Sequence, residues 1–209
     1  MAYRATEKTR RQKEQVQQKI LSVARQAVAE GGFAALHMSS IAAAAGLATG
    51  TLYRHFPSKA DLLAEVFRRV TEREVRVMAD IAASGGDPVL RLSDALEVFA
   101  RRALQAPVLA YALIFEPVDT LVDSERLVFR RSYARVLGRI IDDGIKSGAF
   151  PAQNTAVVAN CMVGALAEAL IGPLVDKTTS SATDRTAEIQ TILRFCLNAV
   201  SAHPKGIES

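Results

Sequence analysis

The stretch MSSIAAAAGLATGTLYRHF, residues 38–56, holds two short helical patterns around one glycine. Met38 to Ala45 is rich in alanine, with Ile41 turned inward, and Gly46 breaks it. Leu47 follows as an apolar plug, and a second helix starts at Ala48–Thr49–Gly50 and runs through His55. Pro57 forbids its continuation and pushes Phe56 out of helical geometry. Two short helices joined by a tight turn with a glycine form a helix-turn-helix. In that arrangement the first helix crosses the DNA backbone and the second enters the major groove, which is about 12 Å wide. The second helix offers Thr49, Gly50, Thr51, Tyr53, Arg54 and His55 to a partner and keeps Leu52 as an anchor.

Upstream, Ile20, Leu21, Ala24, Ala27 and Val28 recur at helical spacing until Gly31–Gly32 stops the run, and residues 1–12 read as a mobile polar arm. Downstream, Ser58–Lys59–Ala60–Asp61 is a capping box. It opens a long helix with Leu63, Val66, Phe67, Val70, Val77 and Ile81 on one side, ending at Ser84–Gly85–Gly86. Asp87–Pro88 starts another. Further helices are expected over about 88–105, 107–116, 123–147, 154–175 and 184–202, with breaks at Pro107, Pro117, Gly148–Pro151 and 176–183. No alternating strand and no repeat interrupts them. The expected class is all-α, with an N-terminal three-helix domain and a larger C-terminal bundle, about nine helices in all. The expected boundary separates residues 1–57 from 58–209.

A chain of 209 residues can bury a core without staples, and 49% apolar with 23% charged residues is an ordinary globular balance. The charge is uneven. Residues 1–59 hold nine basic against three acidic residues, so the remainder of this +4 chain is slightly acidic. A basic first quarter suits a polyanion. Cys161 and Cys196, both in apolar helical patterns, read as reduced core thiols of a cytoplasmic protein. The uncharged stretches 31–53 and 147–167 carry too many small and polar residues for a membrane span, so no membrane partner is expected.

Gly32–Phe33, Ile41–Ala42, Ala45–Gly46–Leu47, Gly50 to Phe56 and Ser58 to Leu63 together resemble the tetracycline-repressor (TetR) family of bacterial transcription regulators, over about residues 15–65. The resemblance implies that Thr49, Gly50, Thr51 and His55 approach bases or the nearby backbone. It implies phosphate contacts for Tyr53 and Lys59, and phosphate or base-edge contacts for Ser39 and Ser40. Arg54 is placed at the same interface, pointing along the backbone. Three positions depart from the family pattern. His37 stands where a Ser or Thr usually caps the second helix. Ala48 stands where a Ser often caps the third, leaving Thr49 as a substitute cap, and Thr49 itself replaces a frequent Lys. Arg4, Arg10 and Arg11 of the arm are candidates to replace that charge by entering the minor groove.

The apolar faces near 154–175 and 184–202 exceed what each helix needs for its own core. They include Val157, Val158, Cys161, Met162, Ala165, Leu166, Ala169 and Leu170, then Ile189, Ile192, Leu193, Cys196, Leu197 and Val200. The resemblance implies that these two helices pair with their copies in a homodimer. Two recognition helices would then read two half-sites of double-stranded DNA. An unidentified small-molecule effector would bind among helices 60–175, with Tyr111, Phe115, Phe129, Tyr133 and Met162 as first candidates. Arg101, Arg102, Arg130 and Arg131 read as solvated charges with a second use as acidic-ligand partners. Phosphate loops, zinc motifs and nucleophile elbows are missing, so neither an enzyme, a metal site nor a cofactor is expected. The expected function is a ligand-responsive repressor acting as a homodimer on a palindromic operator. The alternative is a helical adaptor or ligand-sequestering dimer that does not bind DNA.

Overall fold

The computed structural model describes residues 7–175 and 182–202, which form nine α-helices and no strand. They are α1 (Glu7–Gly31), α2 (Met38–Ala44), α3 (Thr49–His55), α4 (Lys59–Ala83), α5 (Pro88–Gln105), α6 (Pro107–Ile114), α7 (Thr120–Ser147), α8 (Thr155–Val175) and α9 (Ala182–Ser201).

Local chemistry sets most of these ends. The Ser58 hydroxyl accepts the Asp61 amide, and the Asp87 and Asp119 carboxylates accept the Val89 and Leu121 amides. Gly46 takes a left-handed conformation (φ +64°) between α2 and α3, which lets the Leu47 amide reach back to the Ala42 carbonyl at 2.9 Å. Two expectations shift. The expected arm is helical from Glu7, with Arg11 paired to Glu7 and Arg10 to Glu14 at i,i+4 spacing, while Arg4 lies outside the described residues. Helix α7 starts three residues early, because Asp119 caps it.

Two apolar cores share α4. The first joins Ile20, Leu21, Ala24 and Val28 of α1 to Ile41 of α2, Leu52 of α3 and Leu62 to Phe67 of α4, and includes Leu109 and Ala112 of α6 with Val122 and Phe129 of α7. The second takes Met78 and Ala82 of α4 with the inner faces of α5, α7, α8 and α9. Helix α4 therefore passes from one core to the other, and α7 packs along it. Inside the second core, buried Arg91 donates to the Ala82 carbonyl at 2.6 Å and to Asp143 at 3.1 Å, which fixes the end of α4 against α7.

The last two helices correct the sequence reading. Ile189, Leu193, Cys196 and Val200 are buried within the chain, and α9 packs on α5 and α8, so most of the expected interface stripe is core. The outward face of α9 carries Thr191, Arg194, Asn198 and an exposed Phe195. On α8, Met162, Leu166, Leu170 and Leu174 face inward, whereas Val157, Cys161, Gly164, Glu168 and Gly172 form an exposed stripe. Cys161 is thus exposed, contrary to the expectation, and Cys196 is buried, which pushes its thiol pKa up. Helix α8 is long and apolar enough to cross a membrane by length and composition, unlike the 147–167 window judged from the sequence. The difference arises because the helix gains Leu170, Ile171, Leu174 and Val175 beyond that window.

Candidate nucleic-acid interface and the cavity behind it

Helix α3 is seven residues long, and Leu52, fully buried, roots it in the first core. Phe56, also buried, closes its end and leaves helical geometry (φ −134°, ψ 102°), as expected from Pro57. With those two residues turned inward, the opposite edge is open. Thr49, Gly50, Tyr53 and Arg54 are exposed, and Thr51 is half-buried. Ser39 and Ser40 at the start of α2 are exposed, as is Lys59, the first residue of α4. The surface is therefore built from two short helices and one helix N-terminus, where backbone N–H groups already favour an anion.

The caps of the two short helices are backbone only. His37 before α2 and Ala48 before α3 make no side-chain cap bond. Thr49 lies inside α3 as its first residue, so it does not replace the missing cap. His55 departs from its neighbours. It is half-buried, its Nδ1 is buried without a hydrogen-bond partner among the described residues, and burial first, then the nearby Lys13 charge, lower its pKa. A neutral imidazole beside a basic helix differs from the freely exposed donor pictured from the sequence.

Behind this surface lies a cavity of about 420 Å³ among α4, α5, α6, α7 and α8. Its wall is mainly apolar, with Phe67, Met78, Phe99, Leu109, Leu137 and Leu166 prominent. Phe129 and Tyr133 line it and meet Phe67 and Phe99 edge-to-face at 5.7 Å and 5.3 Å. Tyr111, Phe115 and Met162 are not among its lining residues. Tyr111 and Phe115 stack on each other near the end of α6, and Met162 is buried in the second core. The Tyr133 hydroxyl sits near Glu74 and Arg102, and burial, with Glu74 adding to it, holds its pKa above the ordinary tyrosine value. Arg102 forms a two-point ion pair with Glu74.

The N-terminal region matches the family model described as bacterial regulatory proteins, tetR family, over residues 20–66. The chain is also 30% identical over 135 residues to the HTH-type transcriptional repressor KstR2 of Rhodococcus jostii, a stretch covering 63% of this chain and 66% of that protein. The chain belongs to the TetR family of bacterial regulatory proteins. A second relative, the HTH-type transcriptional repressor KstR of Mycolicibacterium smegmatis, is 35% identical over 95 residues, 46% of this chain and 47% of its own. The aligned stretches thus span about two thirds and about half of these relatives. Among solved structures, the transcriptional regulator FadR from Bacillus subtilis in complex with stearoyl-CoA superposes with a TM-score of 0.75 at 20% identity, over 89% of this chain and 99% of that one. That likeness carries the TetR fold through the C-terminal helices, beyond the reach of the family model.

Sequence reasoning missed two residues of this region. Glu116, after α6, binds the α1–α2 turn, and no local pattern signals a contact 83 residues away. Thr71 is buried on α4 at the cavity wall, and its Oγ1 has no hydrogen-bond partner among the described residues. A lone threonine on the apolar side of a long helix was the available signal.

Proposed function

We propose that this TetR-family chain is a sequence-specific, DNA-binding transcriptional regulator, a ligand-responsive repressor that works as a homodimer on a palindromic operator. The observation that carries the reading is the open polar edge of α2 and α3, rooted by buried Leu52 and Phe56 and flanked by Lys59. Ser39, Ser40, Thr49, Gly50, Thr51, Tyr53, Arg54 and His55 supply short donors and acceptors for base edges and phosphates, and Lys59 supplies a phosphate charge. The relatives' description as repressors supports it. In this reading residues 1–57 are the DNA-binding domain and residues 58–209 the effector and dimerisation domain of a cytoplasmic regulator. The exposed faces of α8 and α9 pair with their copies.

The cavity is the effector site, and α4 is the element through which it acts. Its first half packs in the core of the DNA-binding helices, and its later residues Val70, Thr71, Glu74 and Met78 line the cavity. A ligand that displaces α4 changes the separation of the two recognition helices in the dimer. Such coupling typically amounts to about 1–3 kcal/mol and is reciprocal, so DNA weakens the ligand as much as the ligand weakens DNA. The stearoyl-CoA in the complex of the B. subtilis regulator supports an effector with a long apolar portion here.

Selection of a random duplex pool on the purified protein tests the reading. An enriched inverted repeat is expected, with half-sites about one helical turn or more apart. Salt-sensitive binding with no enriched sequence would leave only the phosphate contribution and favour the adaptor or ligand-sequestering reading.

A further inference from the structure

The charges of the cavity are as one-sided as its wall is apolar. Six arginines reach its lining, from Arg25 of α1 to Arg130 of α7, against the single carboxylate of Glu74. Three of them are engaged. Arg69 pairs with Glu65, Arg102 with Glu74, and Arg126 with Asp123 and with the Leu113 and Glu116 carbonyls. Arg25, Arg73 and Arg130 form no ion pair among the described residues, and all three are exposed at the rim. Arg126 lies deeper, mostly buried, and burial lowers its pKa. Asp123 opposes that effect, and the like charge of Arg130 adds to it. An anion between Arg126 and Arg130 would relieve that repulsion. Thr71 also lines the wall, its hydroxyl buried and without a hydrogen-bond partner among the described residues. A volume near 420 Å³ falls within the roughly 300–1,000 Å³ of small-molecule sites.

We propose that the effector is an amphiphilic anion, with an apolar body against Phe67, Phe99 and Leu166 and a carboxylate or phosphate head held by Arg73 and Arg130 in front of Arg126. This rests on the assignment of the cavity as the effector site. A purely apolar ligand would leave the rim arginines without use. A small anion with no body would leave the wall unfilled. The arrangement selects for both parts at once, since guanidinium groups bind carboxylate or phosphate in fork geometry and the wall rewards removal of apolar surface from water.

Calorimetric titration of the full chain with dodecyl phosphate, dodecanoate and dodecanol, each below its aggregation limit, tests the proposal. The three share one body and differ in the head. Both anions are expected to bind at least tenfold tighter than the alcohol, and the tighter of the two identifies the head. In Arg73→Gln/Arg130→Gln, both changes being at exposed positions, that preference is expected to fall to about twofold while the affinity for dodecanol stays the same. Equal affinity of all three, a preference that survives the double substitution, or no binding by any of them overturns the proposal. Location is read separately with Leu113→Trp, which places the only tryptophan of the chain at the cavity wall. Its fluorescence is expected to change on saturation with the anion, and an unchanged spectrum in the folded variant places the anion elsewhere and overturns the proposal. Tight anion binding that releases no selected DNA leaves the ligand class standing and removes ligand response from the function instead.

Discussion

The carboxylate of Glu116 holds the backbone of Phe33: Oε2 accepts the Phe33 amide and Oε1 the Ala34 amide, each at 2.8 Å. The turn that leads from α1 into the helix-turn-helix is thereby fastened to the end of α6. The Glu116 carbonyl in turn accepts from Arg126, which lines the cavity. Gly32 makes the approach possible. Its φ is +73°, and a Cβ there would stand 2.6 Å from Glu116 Oε2.

Glu116→Ala is expected to destabilise the protein by about 2 kcal/mol, since a hydrogen bond to a charged group contributes roughly 1.5–3 kcal/mol and the two amides released are part-buried and exposed. Denaturant unfolding with an unchanged slope measures it. Gly32→Ala is expected to destabilise as well, and part of its cost should remain in the Glu116→Ala background, because the left-handed backbone persists when the clash is gone. A strictly additive pair would show that the close approach contributes nothing.

Gly50 separates stability from DNA reading. It sits within α3 at an ordinary helical conformation, and nothing lies within 4 Å of a Cβ built there. Gly50→Ala is therefore expected to stabilise by about 0.5–1 kcal/mol. Affinity for the selected duplex should fall in the same variant, because the new methyl points into the space the groove would fill. A rise in stability with unchanged affinity would remove Gly50 from the interface.

Lys59→Gln is expected to weaken binding to specific and non-specific duplexes alike, with the salt slope reduced by about one. Tyr53→Phe removes one hydroxyl from an exposed ring and should lower affinity without changing that slope. Affinity measured across a salt series distinguishes the two.

Phe195 is 62% exposed on the outer face of α9 and Val157 55% exposed on that of α8. Phe195→Glu/Val157→Glu is expected to shift the protein toward monomer in sedimentation and to reduce operator affinity with it, leaving the helical signal intact. A dimer that survives both charges would place the interface on another face.

His55 makes stability depend on pH. Its folded pKa lies below the ordinary histidine value of 6.5, so the unfolded chain takes up the proton first as pH falls. The contribution is complete above pH 6.5 and declines as pH drops through the window below it. His55→Gln is expected to flatten that decline in unfolding curves taken between pH 8 and 5. A wild-type curve already flat there would remove the burial argument.

Much of the helix-turn-helix was legible because its signals are local. Gly46, Pro57, the Ser58 capping box and the inward Leu52 act within a few residues of themselves. The environment of His55 was not legible, since the Lys13 charge that reaches it comes from α1, about 40 residues upstream. Of the five aromatic and methionine candidates for the cavity, Phe129 and Tyr133 line it, whereas the turn of α6 sends Tyr111 and Phe115 to each other. Residue type marks a side chain as apolar but not which of two neighbouring cores receives it. The stripe on α9 shows the same limit, because an apolar helix face is equally suited to its own chain or to a copy.

The sequence by itself determined the all-α class, nine helices to within a few residues, and the exposed polar edge of α3, because capping, glycine punctuation and 3.6-residue periodicity are properties of contiguous chain. Tertiary structure alone decided that α4 joins two cores, that Glu116 fastens the α1–α2 turn, and that the arginines of α1, α4, α5 and α7 gather around one cavity. Those relationships join residues up to about a hundred positions apart, and they follow from how the helices pack rather than from what any one helix contains.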